Sequence, residues 1–329
     1  MDIEFVFAVP PGTDGMALAR IDALARGKVR AQAAPEDLES FWFEHFGVAR
    51  QADWPVAPLR LGAAPAGDAY WLCADPIYLQ LDGDRLLFDP ADADIDAAQS
   101  AHLIAALNAQ LQGEGMELRA VTPARWVLRM PRALAVATPS PMEAAGMPAM
   151  AVLPTGADAG AVRRLSSEMQ MLLHQAAAQD PRAGAINSLW LWGGGNWPAP
   201  GVVPAPQGEI VLSPQAHVRE LCELAGGQGM GLPSSWNEAW LLLGPVQCHK
   251  VLIDLTEIIW KADWPGDLQT NWLEPAALAA RKQKLTFSAR ITTPGESLHV
   301  RLYRRDLFHF FGWKSLAQYI DKSQNLRHT

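Results

Sequence analysis

The chain has 329 residues and a net charge of −8, with 49% of its residues hydrophobic and only 19% charged. That length holds one elaborated or two ordinary domains, the apolar content excludes a largely disordered chain, and the acidic balance argues against general attraction to nucleic-acid phosphates. Tryptophan is in excess, 13 against 4 Tyr, and ten of the 13 lie from Trp126 onward.

Residues Ile3 to Val9 form a β-prone apolar run ending at Pro10-Pro11, which predicts a first strand. Acids at Asp2 and Glu4 stand where a signal peptide carries positive charge. Two helical patterns follow, one holding Met16, Leu18, Ile21 and Leu24, the other spanning 35–46 with Leu38, Phe41, Trp42 and Phe46 on its inner face. Residues 77–81 and 85–88 flank Asp82-Gly83-Asp84 and predict a hairpin. Asp96 with Gln99 is a capping-box pattern, and Leu103, Ile104, Leu107 and Leu111 give its helix an apolar stripe.

Strands are expected at 116–121 and 126–130, then a helix over 160–178 with Val162, Leu165, Met169 and Leu173 on one side. Between them, 136–159 is rich in Pro, Ala, Met and Gly and reads as a joint between an N-terminal α+β region (1–135) and a Trp-rich α/β region (160–329). A buried strand starting at Ser188 runs into Gly193-Gly194-Gly195. A strand at 209–212 leads to Ser213-Pro214, an expected helix start, and Gly226 follows that helix. The chain continues with a strand at 251–255, a helix at 275–284 and a hairpin around Pro294-Gly295.

Cys73, Cys222 and Cys248 have neither the number nor the spacing of a disulfide framework or a zinc ribbon, and the eight histidines show no HxH or HExxH pairing, so no metal site and no cofactor is expected. No stretch approaches the roughly 18 apolar residues of a membrane span, which together with the charged start suits a cytoplasmic protein with no membrane partner. Gly226 to Gly231 follow a helix instead of linking strand to helix, so they are a packed turn and not a dinucleotide fingerprint. Asn187, Trp190, Trp192, Gly193, Gly194 and Gly195 are the candidate ligand-binding residues: an amide, two aromatic faces at spacing two and a backbone able to approach a ligand closely. Arg301, Arg304, Arg305 and Trp313 combine the residue types enriched at binding hot spots and are the candidate partner-binding patch.

The run Asn187-Ser-Leu-Trp-Leu-Trp-Gly-Gly-Gly195, with Gly208-Glu-Ile-Val-Leu-Ser213 and Gly226 to Gly231 behind it, resembles a segment of archaeal-type cofactor-independent phosphoglycerate mutases. With Trp71-Leu-Cys-Ala-Asp-Pro76, the Asp82-Gly-Asp84 hairpin, Arg125-Trp126 and Glu168 to His174, the chain is similar over most of its length to bacterial phosphoglycerate-mutase-like proteins labelled regulatory protein of the RpfE type. The resemblance implies a mixed-sheet α/β fold like part of the alkaline-phosphatase-like mutase fold. It also implies a two-metal mechanism with a Ser or Thr nucleophile, whose motifs this chain departs from: Asp14 stands alone after the first strand, and Asp254-Leu-Thr-Glu257 lacks the family's histidine. No catalytic residue is therefore assigned. The expected function is a non-catalytic regulatory or interaction protein whose partner is another protein or a small phosphorylated or carboxylated metabolite. The alternatives are a metal-dependent mutase or phosphatase with unrecognised ligands, and a purely structural partner.

Overall fold

The computed structural model describes residues 1–8, 28–32, 37–87, 95–179, 186–198, 208–244, 249–260, 264–282, 285–293 and 296–302. In chain order these form strand β1 (Asp2–Ala8), β2 (Lys28–Gln32), helix α1 (Leu38–His45), α2 (Val56–Leu61), β3 (Tyr70–Ile77), the hairpin β4 (Gln80–Asp82) and β5 (Arg85–Leu87), α3 (Ala97–Leu111), β6 (Glu117–Thr122) and β7 (Arg125–Met130). There follow α4 (Ala159–Gln179), β8 (Ser188–Gly195), β9 (Glu209–Leu212), α5 (Ala216–Leu224), β10 (Gln228–Met230), α6 (Trp236–Leu243), β11 (Lys250–Asp254), α7 (Glu274–Lys282), β12 (Thr286–Thr293) and β13 (Glu296–Leu302). The expected helix around Met16 to Leu24 lies outside the described residues.

The chain divides into two compact units, one made of 1–42 with 203–329 and the other of 43–202. This division differs from the expected boundaries at 135 and 160. Residues 136–159 lie inside the second unit, bridged internally at Ala137 and Thr155 and tied to β8 where Gly193 N–H donates to Thr138 Oγ1.

The first unit is built on a seven-stranded sheet in the order β10-β9-β11-β1-β12-β13-β2. The first five strands run parallel, while β13 is antiparallel to β12 and to β2. Because side chains alternate along a strand, Ile3, Phe5 and Phe7 face one side together with Ile210, Leu212, Val251, Ile253 and Phe287, and this face is closed by Trp236, Ala239 and Leu243 of α6 and by Trp272. Phe5 stacks on Phe287 at 6.0 Å and meets Trp236 edge-on at 6.2 Å. A π-helical stretch, Leu268–Leu273, runs directly into α7 and carries the fully buried Trp272. Part of the tryptophan excess is thus core. The other face carries Glu4, whose carboxylate accepts a hydrogen bond from Arg290 Nε at 3.0 Å, and Glu209, paired with Lys250 at 3.3 Å. α5 packs against β9 and β10, and Gly229 lies so close to the Arg219 backbone that β10 admits no side chain there.

The second unit holds an antiparallel sheet in the order β6-β7-β3-β8. Leu72, Ala74, Leu118, Trp126, Leu128, Leu189 and Leu191 face α3 and α4, which contribute Leu103, Leu107, Val162, Leu165 and Met169. The Asp96 and Gln99 side chains each accept from the other's backbone N–H, at 2.8 and 2.9 Å, forming the expected capping box at the start of α3. α2 packs against β3 and β8. Among the described residues no helix is long and apolar enough to cross a membrane.

Candidate functional site

β8 is buried along nearly its whole length, and the polar atoms around its end bond inward. Asn187, just before the strand, accepts Leu79 N–H on Oδ1 at 2.7 Å and donates from Nδ2 to Leu79 O at 2.8 Å. Its amide therefore extends the pairing of β8 with β3 by one position. Trp190 Nε1 donates to Pro139 O at 3.0 Å, and Trp192 Nε1 donates to Asp75 Oδ2 at 2.8 Å. The second oxygen of Asp75 accepts from Arg60 Nη1 at 2.6 Å, with the Arg60 guanidinium 5.3 Å from the Trp192 ring centroid. Arg60 and Asp75 are both buried. A charge in that position requires such a partner.

The three glycines are in the same packed region. Gly193 has φ of 60°, and a Cβ there would come within 2.8 Å of Val56 Cβ; one on Gly194 would collide with the Tyr70 hydroxyl. Thr138 Oγ1, which accepts Gly193 N–H at 3.1 Å, donates to Asp53 Oδ2 at 2.6 Å, and Thr138 N and Trp54 N also donate to that carboxyl group. Burial pushes the Asp53 carboxyl above its ordinary range, and hydrogen bonds from Thr138 and Trp54 act against that. The six candidate residues lie along one strand, with Asn187 before its start and Gly195 at its end. Their partners are backbone and buried side chains of the same unit.

In a parallel α/β sheet, ligands bind outside the carboxyl ends of the strands. At that edge Ser213 follows β9 and Asp254 ends β11, both fully buried. Ser213 Oγ donates to Asp254 Oδ2 at 2.7 Å and accepts Gln215 N–H at 3.0 Å, while Asp254 Oδ1 accepts Thr256 N–H at 3.1 Å. Burial raises the Asp254 carboxyl above its ordinary range against the hydrogen bonds it accepts from Thr256 and Ser213. Ser213 was expected to cap the next helix. Its hydroxyl accepts the Gln215 N–H just ahead of α5, which begins at Ala216, and at the same time donates to Asp254. Nearby, Gln215 Nε2 donates to Glu257 at 2.8 Å, and the buried His217 pairs through Nε2 with Glu39 at 2.8 Å. Sequence spacing could not have joined Glu39 to His217, because the whole second unit lies between them in the chain.

A two-metal centre needs clustered Asp and His donors with their charges available. Among the described residues no three His, Cys, Asp or Glu side chains are grouped to hold a metal ion. Asp14 lies outside the described residues. Of the candidate partner-binding residues, Arg301 lies in β13, in register with Ser288 of β12 and Lys28 of β2. Arg304, Arg305 and Trp313 lie outside the described residues.

No protein-family model matches the chain, and no curated protein matches it. Solved structures do. The chain is similar to the PH0037 protein from Pyrococcus horikoshii at 12% identity, with a TM-score of 0.51 over 91% of this chain and 86% of that one. It is also similar to the cofactor-independent phosphoglycerate mutase from Thermoplasma acidophilum DSM 1728 at 15% identity, with a TM-score of 0.45 over 99% of both chains. At these identities the likeness is one of fold: an α/β protein with a largely parallel sheet and a separate antiparallel sheet.

Proposed function

We propose that this chain is a non-catalytic regulatory or interaction protein, cytosolic, that retains a mutase-like scaffold. The observation that carries the proposal is the closed pair at the carboxyl edge of the parallel sheet. Ser213 and Asp254 are fully buried and bonded to each other, and Ser213 also accepts a backbone N–H. A nucleophilic hydroxyl has to reach a substrate and a carboxylate ligand has to reach a cation. Both groups here face inward. The Asn187 to Gly195 segment supports the same reading, since its amide, indoles and glycines serve the packing of β8.

In this proposal, contact with a protein partner falls to the basic aromatic C-terminal region that includes Arg301, Arg304, Arg305 and Trp313, and the effector, where there is one, is a small phosphorylated or carboxylated acid. Two measurements test it. Replacing Arg304, Arg305 and Trp313 by alanine together should abolish capture of the native partner while thermal unfolding of the chain stays unchanged. A melting temperature that rises with the concentration of 3-phosphoglycerate would support effector binding. Retained partner capture in the triple variant would refute the placement of the contact.

A further inference from the structure

β12, β13 and β2 form the antiparallel margin of the seven-stranded sheet, and their register sets basic residues against one another. Arg290 of β12 and Arg30 of β2 flank His299 of β13, and two positions along Lys28 of β2 aligns with Arg301 of β13. Because strand positions alternate between faces, these residues belong to one face of the sheet. On that face the three strands carry no carboxylate, and their remaining positions are Ser, Thr and Gln.

Glu4 of β1, beside Ser288 of β12, is the nearest acid in the register. It takes Arg290 Nε at 3.0 Å and lies 3.8 Å from His299 Nε2. Phe41 of α1 covers Arg290, whose guanidinium is 4.8 Å from the ring centroid. Lys28, Arg30 and Arg301 are placed beyond that pair, on the two outer strands. α5 packs on β9 and β10 and α7 on β12, and among the described residues no helix makes a comparable contact with β13 or β2.

Like charges directly opposite each other destabilise an antiparallel pair. A charged outer strand discourages unwanted pairing, but charge on β2 alone would serve that end and does not call for Arg301 on its neighbour. Cations kept opposite cations fit a surface whose counter-charge comes from another molecule. The net charge of −8 opposes a long polyanion such as nucleic acid, whereas a short acidic segment meets the local field alone.

We propose that the face of β13 and β2 carrying Lys28, Arg30 and Arg301 docks an acidic segment of a protein partner. The inference rests on the partner contact proposed at Arg301 and extends it to a strand from the other end of the chain. The test is fluorescence anisotropy of the full chain with a fluorescein-labelled oligoglutamate peptide. The expected result is saturable, salt-sensitive binding that weakens about tenfold or more in Lys28→Gln with Arg30→Gln, while that variant melts no lower than wild type. Arg163→Gln with Arg164→Gln, the same loss of charge on the exposed side of α4, should leave binding unchanged. The proposal is overturned by absence of peptide binding, by undiminished binding in the β2 variant, or by an equal loss in the α4 variant. Displacement of the peptide by inorganic phosphate or oligothymidylate at lower concentration than by unlabelled oligoglutamate also overturns it. Arg301→Gln carries the test if the β2 variant does not fold. Peptide binding retained when Arg304, Arg305 and Trp313 are replaced would remove those residues from the contact and leave this inference standing.

Discussion

Ser213 Oγ donates to Asp254 Oδ2 across 2.7 Å with both side chains shut away from solvent, at the edge of the parallel sheet where an α/β enzyme exposes its reacting groups. The geometry makes the pair a structural element, and its energetics can be measured. Replacing Asp254 by alanine leaves the Ser213 hydroxyl and the Thr256 N–H without their acceptor, and is expected to lower stability by about 1–3 kcal/mol in urea unfolding.

The same carboxyl group sets a dependence on pH. Burial holds its folded pKa above the ordinary carboxylate range, so its contribution is fully present below the unfolded pKa and is lost as pH rises through the folded pKa. Asp254→Asn keeps the shape and cannot ionise. Unfolding free energies of the two proteins, measured from pH 4 upward, should move in favour of the asparagine variant. A constant difference across that range would contradict the assignment.

Arg60 and Asp75 form a buried pair that also holds the Trp192 indole N–H. Removing one partner leaves an uncompensated charge, so Arg60→Met is expected to destabilise by about 3–5 kcal/mol. Arg60→Met with Asp75→Leu should cost less than the single change. A double-mutant cycle by denaturant unfolding measures the coupling.

The glycines at the end of β8 can be compared with one after α5. Gly226 has φ of 83° and open space where a Cβ would stand, so Gly226→Ala carries only the backbone penalty of about 1–2 kcal/mol. Gly193 adds the approach of Val56, and Gly193→Ala is expected to cost about 1–3 kcal/mol more. Equal melting temperatures for the two variants would mean that Val56 gives way.

Local signals in the sequence carried far. The Asp96 and Gln99 pair, the stripe of α4 and the Pro294-Gly295 hairpin strands each appear where propensity and periodicity place them, because each is decided by neighbours in the chain. Long-range pairing was not legible. Ile3 aligns with Val251, so the N-terminal strand belongs with the last third of the chain, and no local pattern encodes that closure. β10 was hidden because Gln228-Gly229-Met230 lacks apolar alternation and is a strand only through its neighbour β9. Asn187 shows the limit for the site: an amide reads the same in sequence whether it faces a ligand or, as here, the backbone of Leu79.

The central claim is the proposal that this chain carries out no mutase chemistry. The most direct measurement is interconversion of 2- and 3-phosphoglycerate by the purified full chain across a panel of divalent ions, with Ser213→Ala in parallel. The expected result is that no turnover follows the protein through its final chromatographic step, for either form. Metal-dependent turnover that co-elutes with the protein and disappears in Ser213→Ala would contradict the claim.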